Sequence, residues 1–444
     1  MTTEYERHIE TLRERWDAAL ATAGYDAAVI AAGAPALHYQ DDQHTVFRPN
    51  PDFLQWLPQD DCVNAFLLVQ RDSRPRLFFP AARDYWHAPP EPPAWASCAL
   101  HIDTFEDPEA LRSALAAAVA ASGRTVLCAQ HDDSNLGCAA FNDSRVLHAV
   151  HYTRAVKTPF ELSALREATR RAVAGHLAAR EAFHSGQSEF AINLAYLAAS
   201  GHTADELPYG NIVALNHHAA LLHYQHLDRQ PPAEHFSFLL DAGARVHGYA
   251  ADVTRTWAAA GDGIRSEFRS LIEDFDKRQQ RLTAAVQPGR SFTELHEAAH
   301  REVAGALIAF DLVRGDAQDI FDLGITRSFL PHGLGHLLGL QTHDIGGHLA
   351  DRTGRQQPPP GVYPALRLTR VVEPGFVFTV EPGLYFIPML LDELRASAHA
   401  HRVNWARVDA FRCCGGIRIE DNVVVTADGC DNVTRAAFAE AGDD

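Results

Sequence analysis

The sequence predicts an α/β chain of two domains, an α/β domain over residues 1–157 and a larger mixed domain over residues 158–444. Three observations carry that reading. At 444 residues the chain is longer than one ordinary domain. Within the first 157 residues, short apolar strands alternate with helical stretches. At Thr158, Pro159, Phe160 and Glu161, an N-cap residue, a proline at the first helical position and a capping-box glutamate announce a new helix. A new domain is expected to start with it.

Taken in order, Tyr5, Ile9, Leu12, Trp16 and Leu20 recur at helical spacing, and Gly24 supplies a stop. Strands are expected near residues 27–31, 64–70, 76–79 and 125–129, with a helix over 108–121. The cluster Pro89, Pro90, Pro92 and Pro93 reads as a loop. Beyond residue 158, Leu162, Leu165 and Val173 continue the new helix. Residues 236–241 and 252–257 both alternate, and Gly243 and Gly248 allow the chain to reverse, so this ribbon reads as a β-hairpin. A midpoint at residues 246 and 247 sets Asp241 opposite Asp252, with Cβ atoms ~5 Å apart. A proline-rich loop over 358–360 follows the histidine-rich stretch. Pro382 disfavours helix at Glu381, so 377–381 is expected to be extended. A period of two puts Arg418 and Glu420 on one strand face, with Ile417 and Ile419 on the other.

Composition narrows the function classes. A hydrophobic fraction of 46% is ample for sizeable cores. The formal charge of −18 argues against general nucleic-acid binding, which needs a basic surface, and against anionic membranes. The N-terminus lacks the basic and apolar regions of a signal peptide, and no apolar run has the length of a membrane span. Seven cysteines without CxxC spacing point to reduced thiols and a cytoplasmic setting. The adjacent pair Cys413 and Cys414 reads as packing ahead of the Glu420 strand.

The chemistry concentrates in the second half. Asp241, Asp252, His336, Glu381 and Glu420 offer four carboxylates and one imidazole, a donor set for two divalent ions. Hard oxygen ligation suits Mn²⁺ or Mg²⁺, or a Zn²⁺ or Co²⁺ pair. Like charges this close are costly unless a cation compensates them. Competing signatures fail. His332 and His336 have helical ligand spacing, but Gly333 stands where a zincin carries its glutamate. No nucleophile elbow and no phosphate-binding glycine loop is present.

The ordered set of five resembles that of the pita-bread metallopeptidases, which include methionine aminopeptidase, aminopeptidase P and prolidase. The strings YGNIVALN, LLHYQHLDR, FLPHGLGHLLGLQTHDIGG, LRLTRVVEPG, TVEPGLYFI and GGIRIEDNVVV resemble one branch, the bacterial Xaa-Pro dipeptidases, which also holds organophosphorus acid anhydrolases. HYQDDQHTVFRPNPDFLQWLP and DYWH resemble the same branch, so the likeness covers most of the chain.

That resemblance implies a creatinase-like N-terminal α/β domain (1–157), serving dimerisation and the pocket wall. It is followed by a pita-bread catalytic domain (158–444) of two pseudo-symmetric halves. It implies a cytoplasmic homodimer that holds two divalent metal ions, Mn²⁺ by family habit, and splits Xaa-Pro dipeptides. Side activity on organophosphate P–O or P–F bonds is also implied. Asp252 and Glu420 would bridge both ions, Asp241 would chelate one, and His336 with Glu381 would complete the other. Glu381 would also shuttle the proton that a departing proline nitrogen must gain.

His343 would stabilise the oxyanion, and His223 and His332 would contact the substrate. Tyr209 and Leu222 would line its pocket, and Asp42 would reach in from a partner subunit. Arg370 is the candidate grip for the dipeptide's terminal carboxylate, because guanidinium binds carboxylate as a fork. A surface charge is an equal reading of Arg370. Arg418 orients substrate or ligands, or is a structural partner of the carboxylates.

With 25 histidines in the chain, any single one is more often incidental than a ligand. An aspartate at a hairpin is most often a turn-former. The five ligands escape those readings jointly, by their order and flanking glycines and prolines. Two alternatives stay open: an aminopeptidase P-type enzyme acting on longer peptides, and a non-catalytic scaffold of the same fold.

Overall fold

The computed structural model describes residues 2–88 and 90–443; Pro89 of the proline cluster lies outside them, as does Met1. The chain separates into two compact units. The first holds Met1–Ala164, His247–Tyr249 and Leu349–Gln356, and the second holds the rest. Among the described residues, no helix is long and apolar enough to cross a membrane.

The first unit is a six-stranded mixed sheet. Its strands are β1 (Ala27–Ala31), β2 (Phe66–Gln70), β3 (Arg76–Pro80), β4 (His101–Phe105), β5 (Thr125–Cys128) and β6 (Ala140–Phe141), ordered β4-β3-β2-β1-β5-β6. Strand alternation divides its apolar residues between two cores. Ala28, Ile30, Leu67 and Val69 pack with Tyr5, Ile9, Leu12, Trp16 and Leu20 of α1 (Thr2–Ala23), the stripe legible in the sequence. Ala27, Val29, Leu68 and Phe78 face Leu111, Leu115 and Val119 of a helix at Pro108–Ala121. Gly24, at φ +76°, ends α1. The edge strands β4 and β6 were not expected: β4 is only partly buried and β6 has two residues.

Residue 158 begins a helix as its capping box requires. The Thr158 amide donates to Glu161 Oε2 at 2.7 Å, and the helix runs Pro159–His184. Glu161 has a second task. It is fully buried, and its Oε1 accepts from Gln55 and from the Tyr249 hydroxyl.

The second unit carries two three-stranded antiparallel sheets. One is ordered β11-β8-β7, from β7 (Ile212–Leu215), β8 (Ser237–Asp241) and β11 (Thr254–Ala258); a separate two-stranded ribbon of β9 (Arg245–Val246) and β10 (Tyr249–Ala250), whose Tyr249 is counted with the first unit, forms the hairpin tip. The other is ordered β12-β15-β16, from β12 (Val377–Val380), β15 (Asp421–Val425) and β16 (Cys430–Asn432). A short ladder of β13 (Gly383–Tyr385) and β14 (Gly416–Arg418) continues the β12–β15 pair. Long helices at Ile264–Ala284 and Phe292–Ala309 are buried along one face. The expected α/β architecture is found, with a site-bearing C-terminal region of paired antiparallel sheets.

The hairpin register differs from the expected one. Asp241 pairs with Thr254, two residues past Asp252. The same register runs through Ala242 with Val253 and Ala244 with Ala251, which centres the reversal on His247 and Gly248. Both have positive φ, +53° and +82°. That is the geometry of a two-residue type I′ turn, the reversal whose twist matches antiparallel strands. A histidine at positive φ gives no warning in the sequence, so the midpoint was placed one residue too early.

One ion-pair cluster in the first unit generates a pH test. Asp52 lies 3.0 Å from His151 Nε2 and 3.1 Å from Arg154 Nη1. Burial pushes its carboxyl up, but His151 and Arg154 together outweigh burial and hold it down at about 2. A carboxyl depressed in the folded state contributes stability that is present above its unfolded value, ~3.9, and lost as pH falls towards the folded value. Asp52→Asn is therefore expected to lower the urea midpoint at neutral pH, with the gap to the parent closing as pH falls from about 4 towards 2. A gap constant with pH would assign the loss to packing instead.

Candidate metal centre

The cage is assembled where the two sheets of the second unit meet. Thr254 and Glu420 form an isolated antiparallel bridge, the Glu420 amide donating to the Thr254 carbonyl at 3.0 Å. The Thr254 hydroxyl donates to Glu420 Oε2 at 2.6 Å. On the other ladder, Val380 pairs with Asp421 and Gly383 with Arg418. The break between these pairs leaves Glu381 and Glu420 facing one another. Pro382, which has no N–H to give a ladder, sits in that break. The histidine segment lies alongside β12, where the Thr379 amide donates to the His336 carbonyl at 3.0 Å and the Glu381 amide to Leu334 at 2.8 Å. Gly335 makes this approach possible, since a Cβ there would sit 2.0 Å from the Thr379 carbonyl oxygen.

Asp252, His336 and Glu420, all buried, bring ligand atoms to within 4.8 Å of one another. His336 Nδ1 lies 3.0 Å from the Leu337 carbonyl and donates to it, which turns Nε2 towards the carboxylates, where a bound cation would take its lone pair. Nε2 is 3.3 Å from Asp252 and 3.6 Å from Glu381. Asp241 joins through the Tyr209 hydroxyl, which bridges Asp241 Oδ1 and Asp252 Oδ1. All five expected ligands are thus gathered in one cluster.

The electrostatics fit a cation. Burial, with the facing carboxylates of Asp252, Glu381 and Asp241, drives Glu420 well above the ordinary range. Burial pushes Glu381 up to about 7 despite His336. Burial also raises Asp241, although Arg418 opposes it, whereas at Asp252 the His336 imidazole outweighs burial and holds the carboxyl down. Desolvated carboxylates at this spacing are stabilised by a multivalent cation, and four oxygen donors with one imidazole suit a hard or borderline divalent ion.

Around the cage, Tyr385 is a member the sequence reading passed over. It is fully buried, and its hydroxyl accepts from Arg418 Nη1 at 3.0 Å and lies 2.8 Å from His332 Nε2. His332 Nδ1 lies 2.8 Å from the Gly333 carbonyl and must donate to it, so Tyr385 donates to Nε2. Burial, then Arg418, holds His332 neutral, its pKa lowered to about 3. Strand alternation places Glu381, Gly383 and Tyr385 on one face, a signal that was available.

Arg418 is spent on the protein. It is buried and donates to Asp241 Oδ2 at 2.6 Å, to Tyr385, and through Nε to Thr254 Oγ1 at 3.2 Å. Of its two readings, the geometry carries the structural partner.

The remaining expected residues divide. The His343 ring stands edge-on to His336 at 4.4 Å, and burial, then His336 and Arg367, lowers its pKa to about 4. His223 is exposed and close enough to act electrostatically on both His332 and His343. Leu222 packs beside Tyr385, Tyr224 and Ile212.

Arg370 is only 3% exposed, pairs with Glu373 at 3.0 Å and lies over the Phe376 ring at 4.6 Å. Arg367, three residues earlier, is exposed and lies near His343. Asp42 belongs to the first unit, where it is exposed and accepts from the Gln43 amide. A second carboxylate–histidine group, Glu189, His218 and Asp228, also has ligand-like spacing. Glu189 already accepts from the amides of Leu215 and Asp228, from His218 Nδ1 and from the Tyr224 hydroxyl, so its lone pairs are used.

A buried charge network anchors the Glu420 strand from outside. Asp421, with no exposed surface, accepts from Arg255 at 2.7 Å, Arg435 at 2.9 Å and Asn432 at 2.7 Å. Arg255 also donates to the carbonyls of Thr254 and Glu420, both ends of the bridge. Asp421→Asn would leave the partly buried guanidiniums of Arg255 and Arg435 facing a neutral amide, a loss of about 1.5–3 kcal/mol. Chemical denaturation checks this; an unchanged midpoint would mean that the network contributes nothing net.

Residues 163–427 match the model of metallopeptidase family M24, and residues 3–152 match that of the Xaa-Pro dipeptidase N-terminal domain. The chain is 46% identical to an Xaa-Pro dipeptidase of Xanthomonas campestris pv. campestris, over 98% of both chains. It is 44% identical to one of Stenotrophomonas maltophilia, again over 98% of both. Among solved structures, it resembles zinc-substituted Escherichia coli aminopeptidase P in complex with product. That match has a TM-score of 0.74 at 24% identity, over 98% of this chain and 96% of the other. At that identity the likeness speaks for the fold alone.

Proposed function

We propose that this chain, which belongs to metallopeptidase family M24, is a metal-dependent Xaa-Pro dipeptidase that releases C-terminal proline. The resemblance read from the sequence strings named the same family. The observation that carries the substrate reading is full-length similarity to Xaa-Pro dipeptidases, including a dipeptidase-type N-terminal domain. The intact set of five ligands weighs against the scaffold alternative. The finer points are part of the proposal. They are Mn²⁺ as the resident ion, a cytoplasmic homodimer with Asp42 supplied across the dimer, and 158–444 as the catalytic domain.

Asp241, Asp252, His336, Glu381 and Glu420 would hold two divalent ions, which when bound supply a deprotonated water and polarise the scissile carbonyl. The chain's own residues do the rest. Glu381, facing Glu420 across the break in the ladder, takes the water's proton and passes it to the departing nitrogen. Proline's nitrogen is a tertiary amide without an N–H, so it cannot leave without that proton. His343 stands edge-on to His336 and stabilises the developing oxyanion. Arg418 and Tyr385 act as positioning residues, holding Asp241 and His332 respectively. His223 and Leu222 line the substrate side, and Tyr209 keeps the two aspartates at a fixed spacing.

For the terminal carboxylate, we take Arg367 as the grip in place of Arg370. Arg370 is buried against Glu373 and Phe376, whereas Arg367 is exposed beside His343. Losing a charge-assisted contact costs about 1.5–3 kcal/mol, so Arg367→Ala is expected to lower kcat/KM on a dipeptide roughly 10- to 100-fold. The loss should appear mainly in KM and shrink on a dipeptide amide. Arg370→Ala should instead lower the thermal midpoint. The reverse pattern would restore Arg370 to the role.

The deciding assay measures proline release from Ala-Pro, Leu-Pro and Gly-Pro beside Ala-Pro-Ala, with Mn²⁺ and then with a chelator. Chelator-sensitive cleavage of dipeptides alone is the expected result. Cleavage of the tripeptide after alanine would move the chain to the aminopeptidase P type. Silence on all peptides with metal bound would direct attention to phosphotriesters, whose tetrahedral centre has similar charge demands.

A further inference from the structure

The pair Val380 and Asp421 is the last rung of the β12–β15 ladder before its break, and one residue further along each strand stand Glu381 and Glu420. One guanidinium holds both members of that rung from behind. Arg435, in the C-terminal helix Val433–Glu440, donates through Nε to Asp421 Oδ2 at 2.9 Å. Its Nη2 donates to Gln279 Oε1 at 3.1 Å. Gln279 has no exposed surface and lies in the helix Ile264–Ala284, where its Nε2 donates to the Val380 carbonyl at 3.2 Å. That carbonyl belongs to the peptide bond joining Val380 to Glu381. Asp276, one turn before Gln279, takes Nη1 and Nη2 as a fork, at 3.3 and 2.5 Å.

The rest of the C-terminal helix is fastened to the same strand. The Asn422 amide donates to the buried Thr434 hydroxyl at 2.8 Å, and the Arg255 guanidinium lies over the Phe438 ring at 4.6 Å. Asn432 caps that helix by accepting from the Arg435 amide at 2.9 Å, and it also donates to Asp421. Glu381 and Glu420 cannot hold their own separation, because buried carboxylates repel. A planar guanidinium that reaches one strand directly, and the other through a buried amide, spans that distance with directed bonds. The matched metallopeptidase segment ends at residue 427, short of this helix.

We propose that Arg435, acting with Gln279, is a positioning residue of the metal centre, setting the separation of Glu381 and Glu420 from the far side of the ladder. The inference rests on the metal centre proposed above. Both side chains act through Asp421 and the main chain, one residue away from the ligands. Their loss frees the two strands at the last rung, where the ladder already gives way, so metal retention suffers more than folding does.

The test compares the metal-loaded full chain with Arg435→Lys, Gln279→Leu and the double variant. Mn²⁺ retained against a graded chelator is measured well below each thermal midpoint. Arg435→Lys keeps a cation opposite Asp421 but loses the fork that also reaches Gln279. Each single variant is expected to hold Mn²⁺ about 10- to 100-fold more weakly. The two losses should combine to less than their product, since both changes break one chain of contacts. Retention equal to the parent, with only the thermal midpoint lowered, would make the network a brace for folding and overturn the proposal. Losses that multiply in full would overturn the joint action of the two residues. If Gln279→Leu does not fold, Arg435→Lys decides alone. A parent that retains no divalent ion would overturn the metal centre itself, and this role with it.

Discussion

Mutual repulsion among buried carboxylates is the constraint on which the second unit is built. Asp241, Asp252, Glu381 and Glu420 come from four separate stretches of chain and are withdrawn from water together. Nothing in their own chemistry favours that meeting. The backbone enforces it, with the bridge between Thr254 and Glu420, the break in the ladder at Pro382 and the histidine segment laid against β12. Around them the protein spends its hydrogen bonds on holding the anions in place. The Tyr209 hydroxyl spans two aspartates, Thr254 reaches one glutamate, and Arg418 neutralises a third position. The arrangement is preorganised, so a cation entering it meets ligands already desolvated and aimed.

Much of this was legible in the letters. The helical stripe of α1 and the start of the second long helix followed from periodicity and capping chemistry, because both are local. The five ligands were legible for a different reason. Each sits in a string whose glycines and prolines restrict the backbone, and the strings occur in a recognisable order. The hairpin register was not legible, since it depends on His247 accepting a left-handed conformation that tertiary context supports and propensity does not. Tyr385 was missed because a tyrosine in an apolar strand usually reads as core, and only the fold reveals that its hydroxyl joins Arg418 to His332. The two arginines of LRLTR were inseparable on paper. Three residues apart in an irregular stretch, one is buried against Phe376 and the other stays in solvent, and no periodicity foretells which.

The two layers around the cage have different electrostatic characters. Immediately around the carboxylates the partners are mostly neutral hydroxyls and imidazoles, with Arg418 the exception. Further out, full charges appear in pairs, as with Asp421 between Arg255 and Arg435. Keeping most fixed charges one residue away preserves the anionic field inside the pocket while still bracing the strands that create it. Histidines held as neutral rings, His332 and His343, suit the inner layer because they add no fixed charge beside the carboxylates.

The glycines of the histidine-rich segment can be understood as a gauge of clearance. Gly335 lies against the Thr379 carbonyl and Gly347 against the carbonyl of Arg367, each too close for a side chain, and Gly333 has only tight clearance from the Leu366 backbone. Three successive stretches of main chain are thus laid almost in contact, like cables in one sheath. Such a bundle leaves little freedom for the imidazoles it carries, and any added bulk would have to displace a neighbouring strand. The letters that look least chemical in this segment therefore set the tolerance to which its chemistry is built.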